Sequence, residues 1–387
     1  MSRKHTVLFA AVLAAFAAPA QAADLQPYSH KGRVLQRLAA FDNPEGAIFS
    51  ADGKYVFISN AAEQGNADKG FAWTHGGGYV SKLEVHKDGT LKVVDEKLIS
   101  GLTAPLGFAV LPVGTKKFPK GTIFLVQATA PLVETDGTPV KSVATLRPQV
   151  TAFDVDGKVL GEISLGAGSA AEKAAGVIAT LGNALAFDKS GNLYVAETGI
   201  AGASFDPPLP TKGGGIYLFP HGSLDALSEG KDAKISYLPV PEGGPDGIEV
   251  GPDGAIHFNT VGVAGGLNDP AQGGQYKVTR KDIESGKLPA PFGRDFGALD
   301  GLDFAGNVRL DTEIKNTSSV VVTDSKGKAY VLAYEQDIKL AGPADIAVRK
   351  QSDGSYLLVI PELSATSPNN KDNNVTVVRL PKGFDKP

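Results

Sequence analysis

Six short segments of this 387-residue chain share one pattern, and one position in each decides what chemistry the chain can carry. The segments begin at Pro44, Pro105, Gly182, Pro245, Leu299 and Pro343, and the next residue reads Glu45, Leu106, Asn183, Asp246, Asp300 and Ala344. Four of these six residues carry a side-chain oxygen, in a framework that is otherwise apolar residues and glycine. A single Asp or Asn before glycine is an ordinary turn residue. Four in register, brought to a common axis, would repel one another unless a cation lay between them. Hard oxygen donors with no cysteine in the chain and no clustered histidine favour calcium, with magnesium, manganese or zinc as the alternatives. The expected metal ligands are therefore Glu45, Asn183, Asp246 and Asp300.

The elements that must position them follow from the repeat. Self-similarity at a period of tens of residues marks a repeat architecture. Each segment leads through a turn, such as Asp52-Gly53, Ser190-Gly191-Asn192 or Asp253-Gly254, into a run like Tyr55-Val56-Phe57-Ile58 or Leu193-Tyr194-Val195-Ala196. Such runs, bounded by Gly, Asp and Asn, recur along the chain and predict an all-β protein, with short helices only at 169–180 and 281–285. Each unit reads as four antiparallel strands, and six such units predict a six-bladed β-propeller. The last unit stops at 375–380 without its fourth strand. The stretch 32–39, upstream of the first unit, is expected to supply that strand and so hide an exposed edge.

In such a blade the loop between the second and third strands opens on the face where the inner strand begins. These loops are long, at 60–77, 128–147, 198–214, 260–273 and 364–373, and should crowd one mouth with the oxygen-bearing ring. Asn60, Trp73, His75 and Asn259, in or beside them, are the residues expected to touch a substrate. Trp73, the only tryptophan, either stacks on a ligand or plugs the base of its loop. His75-Gly76-Gly77-Gly78 looks like a hydrolase oxyanion loop, but no Gly-x-Ser-x-Gly elbow accompanies it, so it reads as a glycine-rich entry to a strand. His257, on a second strand, reads as a packed residue rather than a base.

Composition bounds the partners. Arg3 and Lys4, an apolar stretch over 7–18 and Ala20-Gln21-Ala22 have the form of an export signal over 1–22, leaving 23–387 as one domain in the periplasm or outside the cell. The formal net charge of −4 becomes −6 once Arg3 and Lys4 are removed with that leader. No basic stripe is present, which argues against nucleic acid. No later apolar run approaches the ~18 residues of a membrane span. Without cysteine there are no disulfides or thiolate nucleophiles, so stability must come from the core. The expected partner is a small molecule, and the expected state a monomer.

In its blade pattern, over nearly the whole chain beyond the leader, the sequence resembles the family of senescence marker protein, or regucalcin, and the gluconolactonases. Paraoxonases and strictosidine synthase are more distant six-bladed relatives. Three motifs carry the resemblance: Glu45 in Pro-Glu-Gly-Ala, Asn183 in Gly-Asn-Ala-Leu-Ala-Phe and Asp246 in Pro-Asp-Gly-Ile. The resemblance implies that these three hold a divalent metal and that Asp246 is the base. It also implies an Asn in the second blade that contacts substrate, and here Leu106 stands in that place. Two functions follow: a metal-dependent hydrolase of lactones or related esters, or a non-catalytic propeller with a structural cation that binds a small molecule or a protein.

Overall fold

A computed structural model describes residues 25–386, apart from 40, 63–72, 130–131, 139, 141–146, 200–213, 242, 263–272 and 364–372. The stretch expected to be a leader, 1–22, and most of the long loops expected at the mouth lie outside the described residues. The rest forms a six-bladed β-propeller, as the repeat predicts. The inner strands are Pro44–Phe49, Pro105–Val110, Gly182–Phe187, Gly244–Val250, Leu299–Ala305 and Ala347–Lys350. Each lies beside the inner strands of the two neighbouring blades, so the ring closes around an axial channel. Turns such as those at Gly53, Gly157, Gly254 and Gly354 join paired strands, and these glycines have φ between 67° and 85°, which suits residues without a β-carbon.

The N-terminal segment closes the ring. Arg33–Leu38 pairs antiparallel with Asn374–Leu380 and becomes the outer strand of blade 6. Pro27 and Gly32 form parallel bridges to Val331 and Tyr334 of blade 5. One segment therefore covers an edge that would otherwise offer unpaired backbone groups.

Two details depart from the sequence reading. Blade 4 has three strands, ending with Gly274–Val278. The chain then forms the helix Arg280–Ser285 and passes through Pro289 and Pro291, which lack the N–H that an outer strand would need. A third helix, Leu224–Ser228, accompanies the two that were expected.

Side-chain alternation along the strands sends successive residues into opposite seams between blades. Five seams are filled by aliphatic and aromatic side chains, for example Tyr217, Phe219 and Phe124 between blades 2 and 3. The seam between blades 4 and 5 is polar. Arg309 and Asp311 form an ion pair there at 2.6 Å, with side chains 4% and 0% exposed. Asp311 also accepts from the amides of Asn259, at 3.0 Å, and Gln275, at 2.8 Å. The Arg309 guanidinium donates to the carbonyl oxygens of Phe258 and Tyr276. A buried ion pair is tolerable only when its remaining hydrogen-bonding capacity is met in this way.

Candidate metal centre at one mouth of the channel

The residues singled out by the repeat all sit at the same backbone irregularity. In blade 1 Pro44 faces Asn60 and Ala47 faces Ile58, so three steps on the inner strand match two on its partner. The same extra residue occurs in blades 2, 3, 4 and 5. In blade 6 it lies between the Pro343–Glu362 bridge and the Ala347–Val359 pair. A bulge of this kind bends the strand and re-aims a side chain. Here it places Glu45, Leu106, Asn183, Asp246, Asp300 and Ala344 at one level around the axis.

In four blades glycine follows the bulged residue, and there the neighbouring strand approaches too closely for a side chain. A β-carbon at Gly46 would lie 2.3 Å from the carbonyl oxygen of Leu106, and one at Gly247 would lie 2.3 Å from that of Asp300. The freed backbone groups are taken up by second-strand side chains that also tie blades together. Gly46 N–H donates to Ser59 Oγ at 2.7 Å, and Ser59 donates onward to the carbonyl of Leu106 at 2.7 Å. Asn259 links Gly247 N–H to the carbonyl of Gly301, and Thr312 links Gly301 N–H to that of Ala344. Asn259 therefore stands in the blade-to-blade ladder.

Asn60 belongs to a second repeated position, with Gln127, Glu197, Glu313 and Glu362. Each accepts a backbone N–H from the segment leading into its own inner strand; for Asn60 the donor is Asp42 at 3.1 Å. Trp73 is buried in the core shared with Leu106, where its segment pairs in parallel with Leu132–Val133 of the blade 2 loop. His75 stands half-buried above it, its Nδ1 3.3 Å from Thr103 Oγ1. Of the four expected substrate contacts, Asn60, Asn259 and Trp73 are thus packed into the fold, and His75 remains the most accessible.

The acidic residues do come together. Glu45, Asp246 and Asp300 are each no more than 7% exposed. Burial is the main cause that pushes all three carboxyls well above their ordinary range. Repulsion adds to it, from Asp246 on Glu45 and from Asp246 and then Glu45 on Asp300. Asp246 and Asp300 lie close enough to act on each other directly, which opposes the rise on Asp246 and adds to that on Asp300. Asn183 Nδ2 donates to Thr198 Oγ1 at 3.4 Å, and its side-chain oxygen accepts no hydrogen bond from the described residues.

Three further acids, not singled out from the sequence, continue down the channel. Asp345 occupies the position where four other blades have glycine and accepts from Ala47 N–H at 2.9 Å. Burial pushes it up to about 6. Glu249 and Asp303 lie three residues beyond Asp246 and Asp300 on the same strands. All three keep some accessible surface because they face the channel, yet protein surrounds them and bulk water screens them little. Extending the six-way alignment by three positions would have found them.

Three carboxylates and an amide oxygen make a hard donor set, which suits calcium or magnesium better than a softer metal. As the side chains stand, no group of three or more acidic or histidine residues among the described residues is arranged to hold an ion. Closing the set around one requires these carboxyls, raised by burial, to ionise.

No protein-family model matches this sequence, and no curated protein matches it. Solved structures match its fold. An oxidoreductase of Thermus thermophilus, described as a glucose dehydrogenase, is 14% identical with a TM-score of 0.53, over 90% of this chain and 100% of its own. A protein described as a gluconolactonase is 13% identical with a TM-score of 0.52, over 92% of this chain and 94% of its own. At these identities the likeness is one of fold, that of the six-bladed propeller.

Proposed function

We propose that this protein is a hydrolase of lactones or related esters that works with a divalent cation, calcium first, held by Glu45, Asn183, Asp246 and Asp300. The observation that carries this reading is the bulge repeated in every blade, which sets these four positions in one register of the inner strands, with three buried carboxyls that meet no countercharge among the described residues. The bound cation would polarise a substrate carbonyl. Asp246 is the base: it would take the proton of the water that attacks the carbonyl carbon and return it to the leaving alkoxide oxygen as the acyl C–O bond breaks. Asn183, tethered to Thr198, and Glu45, across the ring, orient the group bound between them. The leader-like stretch at 1–22 supports export as part of the same proposal, and among the described residues no helix is long and apolar enough to cross a membrane.

A second reading has its own support. Leu106, fully buried, fills the second-blade position, where it can neither ligate a cation nor hydrogen-bond a substrate. A binding propeller with a structural cation accounts for that residue directly. The two readings separate on assaying the purified protein against a panel of lactones and carboxylic esters, with calcium and with chelator. Calcium-dependent turnover lost in Asp246→Asn supports the hydrolase; calcium binding with no turnover across the panel supports the binding protein.

A further inference from the structure

At the end of the channel opposite Glu45 and Asp246, the inner strands enclose a cavity of about 390 Å³. Glu249 and Asp303 form its acidic side, roughly 10 Å along the strands from Asp246 and Asp300 at ~3.3 Å per residue. Phe49, Phe108 and Phe187, from blades 1, 2 and 3, form its aromatic side. Blades 1 and 2 stand across the ring from blades 4 and 5, so Phe49 and Phe108 come from the side opposite the two carboxyls, and Phe187 from the blade beside Glu249. A waist of only about 30 Å³ separates this cavity from the upper site, room for little more than one water.

The charges around the acids do not neutralise them. Asp303 accepts from the N–H groups of Phe304 and Val348, both at 2.6 Å. Glu249 accepts on one oxygen from Val250 N–H at 2.7 Å, and its other oxygen accepts no hydrogen bond from the described residues. Arg349, at the rim, donates to the carbonyls of Ser50 and Asp52 on the turn of blade 1, with its guanidinium 5.9 Å from the centre of the Phe49 ring. The remaining charged groups are Lys189 and Asp188 at the rim and Asp345 above. Burial and neighbouring carboxyls push Glu249 up to about 7 and Asp303 well above the ordinary range.

We propose that this cavity binds an organic ammonium ion, its charge between Glu249 and Asp303 and its apolar part against Phe49, Phe108 and Phe187. The volume lies within the ~300–1,000 Å³ of small-molecule sites. An aromatic face attracts an organic cation, whereas a divalent metal needs about six to eight oxygens, which a half-aromatic wall does not supply. The site is independent of any reaction at the other mouth.

Benzylammonium is the probe and benzyl alcohol, of the same shape without charge, its control. Calorimetric titration of the full chain, in the presence of calcium, is expected to show saturable benzylammonium binding and at least ~10-fold weaker binding of the alcohol. Glu249→Gln, which keeps the shape, should weaken the amine ~10-fold or more while leaving the melting curve cooperative. The comparison of amine with alcohol on the wild-type protein needs no variant to fold. The proposal is overturned by no saturable amine binding, by equal binding of the alcohol, or by unchanged amine binding in Glu249→Gln. It is equally overturned if raising calcium displaces the amine, because the acids then hold a metal.

Discussion

Asp246 of blade 4 and Asp300 of blade 5 meet at the bulge common to both inner strands, where the Asp246 carboxyl adds to the burial that raises Asp300. Buried acids held this close make the cation-free protein sensitive to pH. Carboxyls raised in the folded state bind protons that the unfolded chain has released, so stability falls as pH rises between the two values.

The cation-free protein should therefore weaken from about pH 4, where unfolded carboxyls ionise, through about 6 for Asp345 and about 7 for Glu249. A carboxyl displaced this far costs about 3 kcal/mol once ionised. Urea midpoints in chelator, measured from about pH 5 to about pH 8, should decline steadily. Asp345→Asn should flatten that decline, and a midpoint that rises with pH would contradict the assignment.

His257 acts in the opposite sense. It is buried at the edge of the polar seam, where burial and then Arg309 lower it to about 4, against the pull of Asp253 at 3.5 Å. A histidine kept neutral in the fold contributes its stability above the unfolded value of about 6.5, and that contribution is lost as pH falls towards 4. His257→Gln should remove roughly 3 kcal/mol of this acid-side loss. Equal acid sensitivity in both proteins would show that the imidazole is not held neutral.

The seam itself should be brittle. Asp311→Ala leaves the Arg309 charge buried and takes an acceptor from Asn259 and Gln275. Removing one partner of a buried pair costs about 3–5 kcal/mol, readable as a shifted denaturant midpoint. Replacing both, as in Arg309→Met with Asp311→Leu, should recover part of the loss. A single variant as stable as wild type would mean that the seam is held by something else.

The ring also depends on glycine at the bulge. Gly247→Ala would place a carbon 2.3 Å from the Asp300 carbonyl oxygen, forcing blades 4 and 5 apart. An overpacking loss of about 1–3 kcal/mol is expected, together with weaker calcium binding. Unchanged behaviour on both counts would show that the blades separate without consequence.

The fold was legible because its signal repeats: six turns, each followed by alternating strands, outweigh any one misread segment. Blade 4 broke the rule through Pro289 and Pro291, which a pattern of apolar residues does not weigh. Asn60 and Asn259 looked like mouth residues because each closes or nearly closes a strand before a long loop. Their true company shows only across blades, where Asn60 aligns with Gln127, Glu197, Glu313 and Glu362, and Asn259 with Ser59 and Thr312. Asp345, Glu249 and Asp303 escaped because each occupies a position filled in most other blades by Gly, Ala or Ile. Their acidity becomes conspicuous only once the strands share one channel.

The most direct measurement is thermal unfolding of the protein in chelator and in saturating calcium. Calcium bound only by the folded state stabilises it by about 2.7 kcal/mol at a hundredfold excess over Kd, which raises Tm by a few degrees in a chain of this length. The account predicts that rise in the wild type, most of it lost in Asp246→Asn and in Glu45→Gln and all of it retained in Leu106→Ala. A melting curve unmoved by chelator and by calcium, with no metal in the purified protein, would contradict the metal centre and the hydrolase reading with it.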